Sequence, residues 1–291
     1  PVQEPSPQYV YVADTFNQRV QVFDQQGNFT ALFGSFGSGP GQLRMPSDVI
    51  AANDRIYVLD KGNHRIQVFD MSYSPLFSFG QSILKFPLGF DVYDDTIYVA
   101  NTYKWRIDLF TLNGTLKNSF GKRGKKLGEF KYISDIALDD NYVYALDTGN
   151  NRIQKFTHNG TYVTQWGMYS RSLGGLRFPL GIEIYKDIVY VADTQNSQIK
   201  MYDTNGAFLG NFGGFGKDED KFRFESRIWE VDGLLYIADT KNHRIKAYYP
   251  NGTLSSIFGQ FGHNPGELRA PGIIRSLGKG IIDRNTTNTS A

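Results

Sequence analysis

From residue 9 onward the chain alternates short apolar-rich segments with polar turns, and no stretch keeps the three-to-four-residue apolar spacing of an amphipathic helix. One unit shows the pattern. Asp48-Val-Ile-Ala reads as a strand, Asn53-Asp-Arg as a turn, Ile56-Tyr-Val-Leu-Asp60 as a second strand, Arg65-Ile-Gln-Val-Phe69 as a third and Pro75-Leu-Phe-Ser-Phe79 as a fourth. The junction of an acid or amide with a cation five positions later recurs at Asp14 and Arg19, Asp60 and Arg65, Asn101 and Arg106, and Asp147 and Arg152, then at Asp193 with Gln198 and Asp239 with Arg244. The junctions stand 46, 41, 46, 46 and 46 residues apart. Four antiparallel strands repeated six times at this period predict an all-β, six-bladed propeller.

The ends predict how the ring closes. Tyr9-Val-Tyr-Val12 enters at the second strand of a blade, and Pro271-Gly-Ile-Ile-Arg275 sits where Pro46, Pro87 and Pro179 precede first strands. The C-terminal strand should therefore complete the N-terminal blade, and deleting residues 270–283 should open the ring. The expected organisation is an N-terminal tether over 1–8, a propeller over 9–283 and a polar tail over 284–291.

Composition changes the picture little. Aromatic residues make up 15% of the chain and glycine contributes 31 residues, as suits short strands joined by tight turns. With no cysteine, disulfides, thiolate metal sites and a cysteine nucleophile are excluded. No apolar run approaches the roughly 18 residues that span a bilayer. The formal charge of +2 gives no global argument for nucleic acid, so any basic patch is local.

The string Val-Tyr-Val-Ala-Asp14 with Thr15, Asn17 and Arg19, followed by a glycine turn and a Phe-Gly pair, resembles the NHL repeat; Asn63-His64-Arg65 and Asn242-His243-Arg244 come nearest to its Asn-His-Leu core. The resemblance covers residues 9 to about 283 and implies a six-bladed propeller. Intracellular members that bind RNA through a basic face supply one functional expectation. Enzymatic relatives supply another: peptide-amidating lyases bring histidines to zinc, which His64, His158, His243 and His263 do not obviously reproduce. Gluconolactonase-like propellers place acidic and amide ligands in the bore.

Three sets of residues are candidates for chemistry. Two positions before each innermost strand stands a cation, namely Arg44, Lys85, Lys131, Arg177, Arg223 or Arg269, and this ring should focus potential on one face. The alternative is that each head pairs with a local acid such as Glu129 or Glu267. Lys122, Arg123, Lys125 and Lys126 add to this face, the Gly80–Lys85 loop is five residues shorter than its equivalents, and Trp105 is expected as an exposed anchor nearby. Asp48, Asp91, Asp135, Glu183, Arg227 and Arg275 are expected to line a solvated channel or hold a cation there. The repeated Asp–Arg junctions read as structural, because a catalytic centre needs its groups to converge once.

Sequons at Asn28, Asn113, Asn159, Asn251, Asn285 and Asn288, with the start at Pro1 rather than Met, point to an extracellular or cell-surface glycoprotein. The Asn-Gly turns at Asn113, Asn159 and Asn251 are also explained by hairpin geometry. The expectation is a non-catalytic scaffold that presents its loops to a protein or an anionic glycan, with no cofactor or metal and with self-association at a cell surface. RNA binding is the alternative, and a metal-dependent hydrolase or lyase in the channel the second alternative.

Overall fold

The computed structural model describes residues 9–272 and the backbone of 274–275; residues 1–8, 273 and 276–291, which include both expected tails, lie outside the described residues. Six four-stranded sheets follow one another along the chain. Blade 2 runs from Pro46–Ala52, innermost, through Arg55–Asp60 and Arg65–Asp70 to Pro75–Phe79 at the rim. Blades 3 to 6 repeat this order. In blade 1, Val10–Asp14, Arg19–Phe23 and Phe29–Phe33 take the outer three places. The innermost place is filled by Ile274–Arg275, antiparallel to the first strand with Tyr11 opposite Arg275 and Val12 opposite Ile274. Chain closure is thus as the ends predict.

The hydrophobic core lies between blades. In the second strand of blade 2, Ile56 and Val58 pack toward blade 1 with Tyr11, Val20 and Phe33, while Tyr57 and Leu59 pack toward blade 3 with Ile97, Val99 and Phe110. Successive side chains of a strand point to opposite faces, so a sheet packed on both sides must be apolar at successive positions. That is why these strands carry apolar runs rather than strict alternation. Blade 6 meets blade 1 in the same way, Trp229, Val231 and Tyr236 packing with Val10, Val12 and Phe23.

Turns sort onto two faces. Interblade loops and the turns between second and third strands share one face, as the 2.7 Å bond from the Gly62 amide to the Arg44 carbonyl shows. The other two turns of each blade lie on the far face. There Gly160, at φ +90°, sits so close to the preceding blade that a Cβ would meet the Phe120 ring at 2.5 Å, so only glycine fits both the turn and the interface. On the first face, most interblade loops fold back through a short parallel bridge, such as Ser35–Phe36 against Gln42–Leu43. Gly80–Lys85 is too short to do so and turns on itself instead, the amides of Ile83 and Leu84 donating to the Gly80 carbonyl.

Candidate functional site

The junction carboxylates build the face. Asp60 Oδ1 accepts the Arg44 amide at 2.7 Å, and Oδ2 accepts Asn63 Nδ2 and Arg65 Nε, each at 2.8 Å. Arg65 in turn donates to the carbonyls of Ser38, Gly39 and Gln42 in the loop above. Each junction therefore ties an interblade loop down onto the turn of the blade it enters. Blade 5 has Gln198 in place of arginine, and Lys200 supplies the cation at 3.1 Å from Asp193. A structural role for the repeated pairs follows from these partners.

The six expected cations do ring this face. The backbone amide of each is held by a junction residue, including Arg269 by Asp14 across the closure at 2.8 Å. Arg44, Lys85, Lys131 and Arg269 are exposed, and Arg177 and Arg223 half-buried. Among the described residues, none of the six forms an ion pair with a carboxylate. Glu129 instead takes Lys122 and the Lys126 amide, and Glu267 takes Gln260 and the amides of His263 and Asn264.

Next to each cation stands a residue that sequence reasoning missed: Met45, Phe86, Tyr132, Phe178, Phe224 or Ala270. Phe86, Phe178 and Phe224 have φ of 52°, 47° and 60°, a left-handed backbone that costs a bulky residue of order 1–3 kcal/mol. The side chain at the tip of the preceding blade's turn offsets this cost. His64 Nδ1 accepts the Phe86 amide at 3.0 Å, and Asn151 Oδ1 accepts the Phe178 amide at 2.7 Å. The result is an aromatic collar inside the cationic ring, with Phe86 stacked on Tyr103 and Tyr132 on Phe178. The signal was available as a cation–aromatic pair preceding most innermost strands. Lys61, on the same face, was also missed; burial, with Arg227 beside it, brings its pKa down to about 8.

Lys122, Arg123, Lys125 and Lys126 are exposed as expected. Trp105 is not the exposed anchor expected. It occupies the turn-tip position in left-handed geometry, packs against the core between blades 3 and 4, and carries the Arg123 guanidinium 5.1 Å from its ring centroid. Tyr103, 45% exposed, is the accessible aromatic there.

Three of the acids expected in the channel latch neighbouring blades together. Asp48 Oδ2 accepts the Phe90 amide of blade 3, Asp91 Oδ2 the Leu138 amide of blade 4 and Asp135 Oδ2 the Ile182 amide of blade 5, at 3.0 to 3.1 Å. All three are buried, as is Glu183. Arg227 crosses the bore, its Nη1 2.9 Å from Asp135 Oδ2 and its Nη2 donating to the Leu88 carbonyl at 2.7 Å. Each of these buried acids thereby gives a backbone amide of a neighbouring blade a hydrogen-bond partner. Arg275 has no described side chain.

Glu225 takes the entry position where blades 2, 3 and 5 have proline, and it is fully buried. Burial pushes its carboxyl well above the usual range, with Asp193 and Asp239 adding to the effect. A raised folded value means that its contribution to stability is complete below the ordinary glutamate pKa and is lost as pH rises through the raised value. Glu225→Gln is therefore expected to stabilise the protein by about 1–3 kcal/mol at pH 8 and to change little at pH 4, measured by urea unfolding. Equal effects at both pH values would refute the assignment.

The far face has the opposite charge. Its turns carry Asp54, Asp94, Asp95, Asp139, Asp187 and Asp232, so the small net charge conceals an uneven distribution between the two faces. Asn28, Asn113, Asn159 and Asn251 are exposed on turns between third and outermost strands, also away from the cationic ring. Asn285 and Asn288 lie outside the described residues.

The model of DUF5128, a 6-bladed beta-propeller family, matches residues 6–79 and 86–166, and the break falls on the shortened loop. Protein brain tumor of Drosophila melanogaster is 30% identical over 116 residues, a stretch that is 38% of this chain and 11% of that protein. The match thus spans about a tenth of the length of that relative. A streptogramin B lyase structure superposes with TM-score 0.62 at 14% identity, covering 89% of this chain and 81% of that one. A catalytically inactive virginiamycin B lyase from Staphylococcus aureus with quinupristin gives 0.60 at 16%, covering 91% and 87%. At such identities the likeness establishes the fold.

Proposed function

We propose, for a chain that belongs to the DUF5128 family of six-bladed beta-propellers, that the protein is a binding module holding an anionic partner on its cationic face. The observation that carries this reading is the ring from Arg44 to Arg269, whose six cations have no carboxylate partner among the described residues. Keeping like charges together costs repulsion unless a partner of opposite sign neutralises them, and a surface that focuses potential speeds the capture of such a partner. The partner in this reading is an acidic protein surface or an anionic glycan, met outside the cell, and the exposed sequons on the far face leave the ring clear for it. Kinship with NHL repeats belongs to the same proposal, supported by the junction motif and by the match to protein brain tumor.

The interleaved aromatic collar favours RNA as a second reading, since unpaired bases stack on such rings between phosphate contacts. A hydrolase or lyase reading draws on the names of the fold neighbours, while Arg227 crosses the bore where its site was expected. No helix among the described residues is long and apolar enough to cross a membrane.

The test is retention on immobilised sulfated polysaccharide, polyglutamate and single-stranded RNA at increasing salt. Combining Arg44→Gln, Lys85→Gln and Lys131→Gln is expected to weaken binding at least tenfold at low ionic strength and to flatten its salt dependence. Neutralising Asp54 and Asp187 on the far face should not weaken it. Retention unaffected by the triple change would sink the reading.

A further inference from the structure

One part of the cationic face differs from the rest. At the turn position where the other blades have Phe16, Gly62, Tyr103, Gly149 or Gln195, blade 6 has Lys241. The loop entering that blade adds Lys217 and Arg223. These cations line one cavity of about 300 Å³, together with Asn242, His243 and Arg244. Among the described residues, no other blade has a cation at this turn position, so the site is not a product of the repeat alone.

We infer that this blade 6 cavity is a binding site for a tetrahedral oxyanion, a phosphate or sulfate monoester carried by the partner. The inference rests on the reading of the face as an anion binder and names the group that the face would grip. Apart from the Asn242 amide oxygen, the side-chain groups of the lining that are not already committed are donors. Arg244 is spoken for, because its Nε pairs with Asp239 at 2.8 Å and its Nη2 donates to the carbonyls of Lys217 and Asp218 at 2.8 Å. Asn242 Nδ2 is likewise used on Asp239 and on the Gly216 carbonyl. Arg223, Lys241 and Lys217 form no ion pair with any described residue.

Lys241 Nζ lies 4.7 Å from the Phe224 ring centroid, a cation–π contact that favours this side-chain position and so meets part of the ordering cost of an anion contact. His243 accepts the Ala270 amide on Nδ1 at 3.1 Å, which leaves Nε2 as the protonated nitrogen of the neutral ring and adds another donor. Burial, with Arg269 close by, holds this imidazole below its usual pKa, and an anion in the cavity would oppose that. No carboxylate lines the cavity; Asp218, Glu219 and Asp220 belong to the adjoining loop, where Asp220 pairs with Lys221. The volume is at the lower end for small-molecule sites, which fits one charged group and the residue or sugar that bears it rather than an extended ligand.

The experiment is a titration of the whole chain with inorganic phosphate and, separately, inorganic sulfate, followed by the imidazole signals in NMR. Saturable shifts of the His243 ring with either oxyanion are expected at millimolar concentration. Lys241→Gln should weaken the response at least tenfold, Lys217→Gln should weaken it less, Lys241→Arg should largely retain it, and Asp187→Asn on the far face should leave it unchanged. A response that is absent, or that rises without saturation and survives Lys241→Gln, overturns the site. Polyanion retention measured on the same samples separates the two proposals. Retention without a His243 response removes the cavity and leaves the face reading, whereas a saturable response without retention keeps the cavity and removes the face reading.

Discussion

Asp60→Asn is expected to lower the free energy of unfolding by about 3–5 kcal/mol, the usual cost of removing one partner from a buried ion pair, and Gln67→Asp added to it is expected to return most of the loss. The amide keeps one acceptor for the Arg44 backbone but leaves Arg65, whose side chain is 8% exposed, without its carboxylate. Blade 3 already contains the remedy. There Asn101 accepts the Lys85 amide at 2.8 Å and donates to Asp108 Oδ2 at 2.6 Å, while Arg106 Nε lies 2.7 Å from Asp108 Oδ1. Asp108 stands seven positions after Asn101, as Gln67 does after Asp60, so the double variant copies a carboxylate moved by one strand position.

Rescue should fall short of complete. Gln67 also accepts the Gly41 amide at 3.0 Å and donates to the Gln42 carbonyl, and a carboxylate cannot do the second. Blade 3 tolerates aspartate there because its entering loop is the short one and lacks those partners. A double-mutant cycle by urea denaturation should give a coupling of about 2 kcal/mol or more. Additive effects would show that the junction is not the unit described.

The same junction shows how much the sequence makes legible. Repetition exposed the period, the blade, the closing strand and the cationic ring, because each is a local pattern copied along the chain. Asn101 in place of aspartate and the five-residue deletion are both visible in the string. That they are one event becomes clear only when the loop is seen to lie over the strand. Roles set by neighbouring blades were hidden for the same reason. Asp48 and Asp91 are spaced as a channel lining would be, yet their oxygens point sideways to amides 42 and 47 residues away. Trp105 looks like an anchor in a polar turn, but the left-handed turn tip folds its ring back onto the core. Lys61 carries no sequence signal, since its depressed pKa comes from burial in the fold and, after that, from Arg227 reaching across the bore. The blade 6 cavity needs an interblade loop and a turn about twenty residues on to meet, and only the fold brings them together.

Closure is where local and global order depend most on each other, and a chain truncated after Arg269 is expected to lose about 3–6 kcal/mol, a large part of the roughly 5–15 kcal/mol that holds a domain together. The truncation removes the backbone pairs of Tyr11 and Val12 with residues 275 and 274, the Gly272 amide donated to the Ala13 carbonyl at 2.9 Å, and the Thr240 hydroxyl donated to the Pro271 carbonyl at 3.1 Å. Val10–Asp14 then becomes an unpaired edge made of fully buried residues, the kind of edge that recruits other chains. The side-chain stitches of the closure remain, including Asp14 to the Arg269 amide and Gln21 to the Glu267 carbonyl, so the ring is weakened rather than severed. The expected result is a lower urea midpoint, with loss of a single cooperative transition and concentration-dependent association on gel filtration. Additional neutralisation of Arg19, which binds the carbonyls of Asn264 and Glu267 from across the seam, should deepen the loss. An unchanged midpoint in the truncated chain would mean that interblade packing of Val10, Val12 and Phe23 against Trp229 and Tyr236 seals the ring without its last strand.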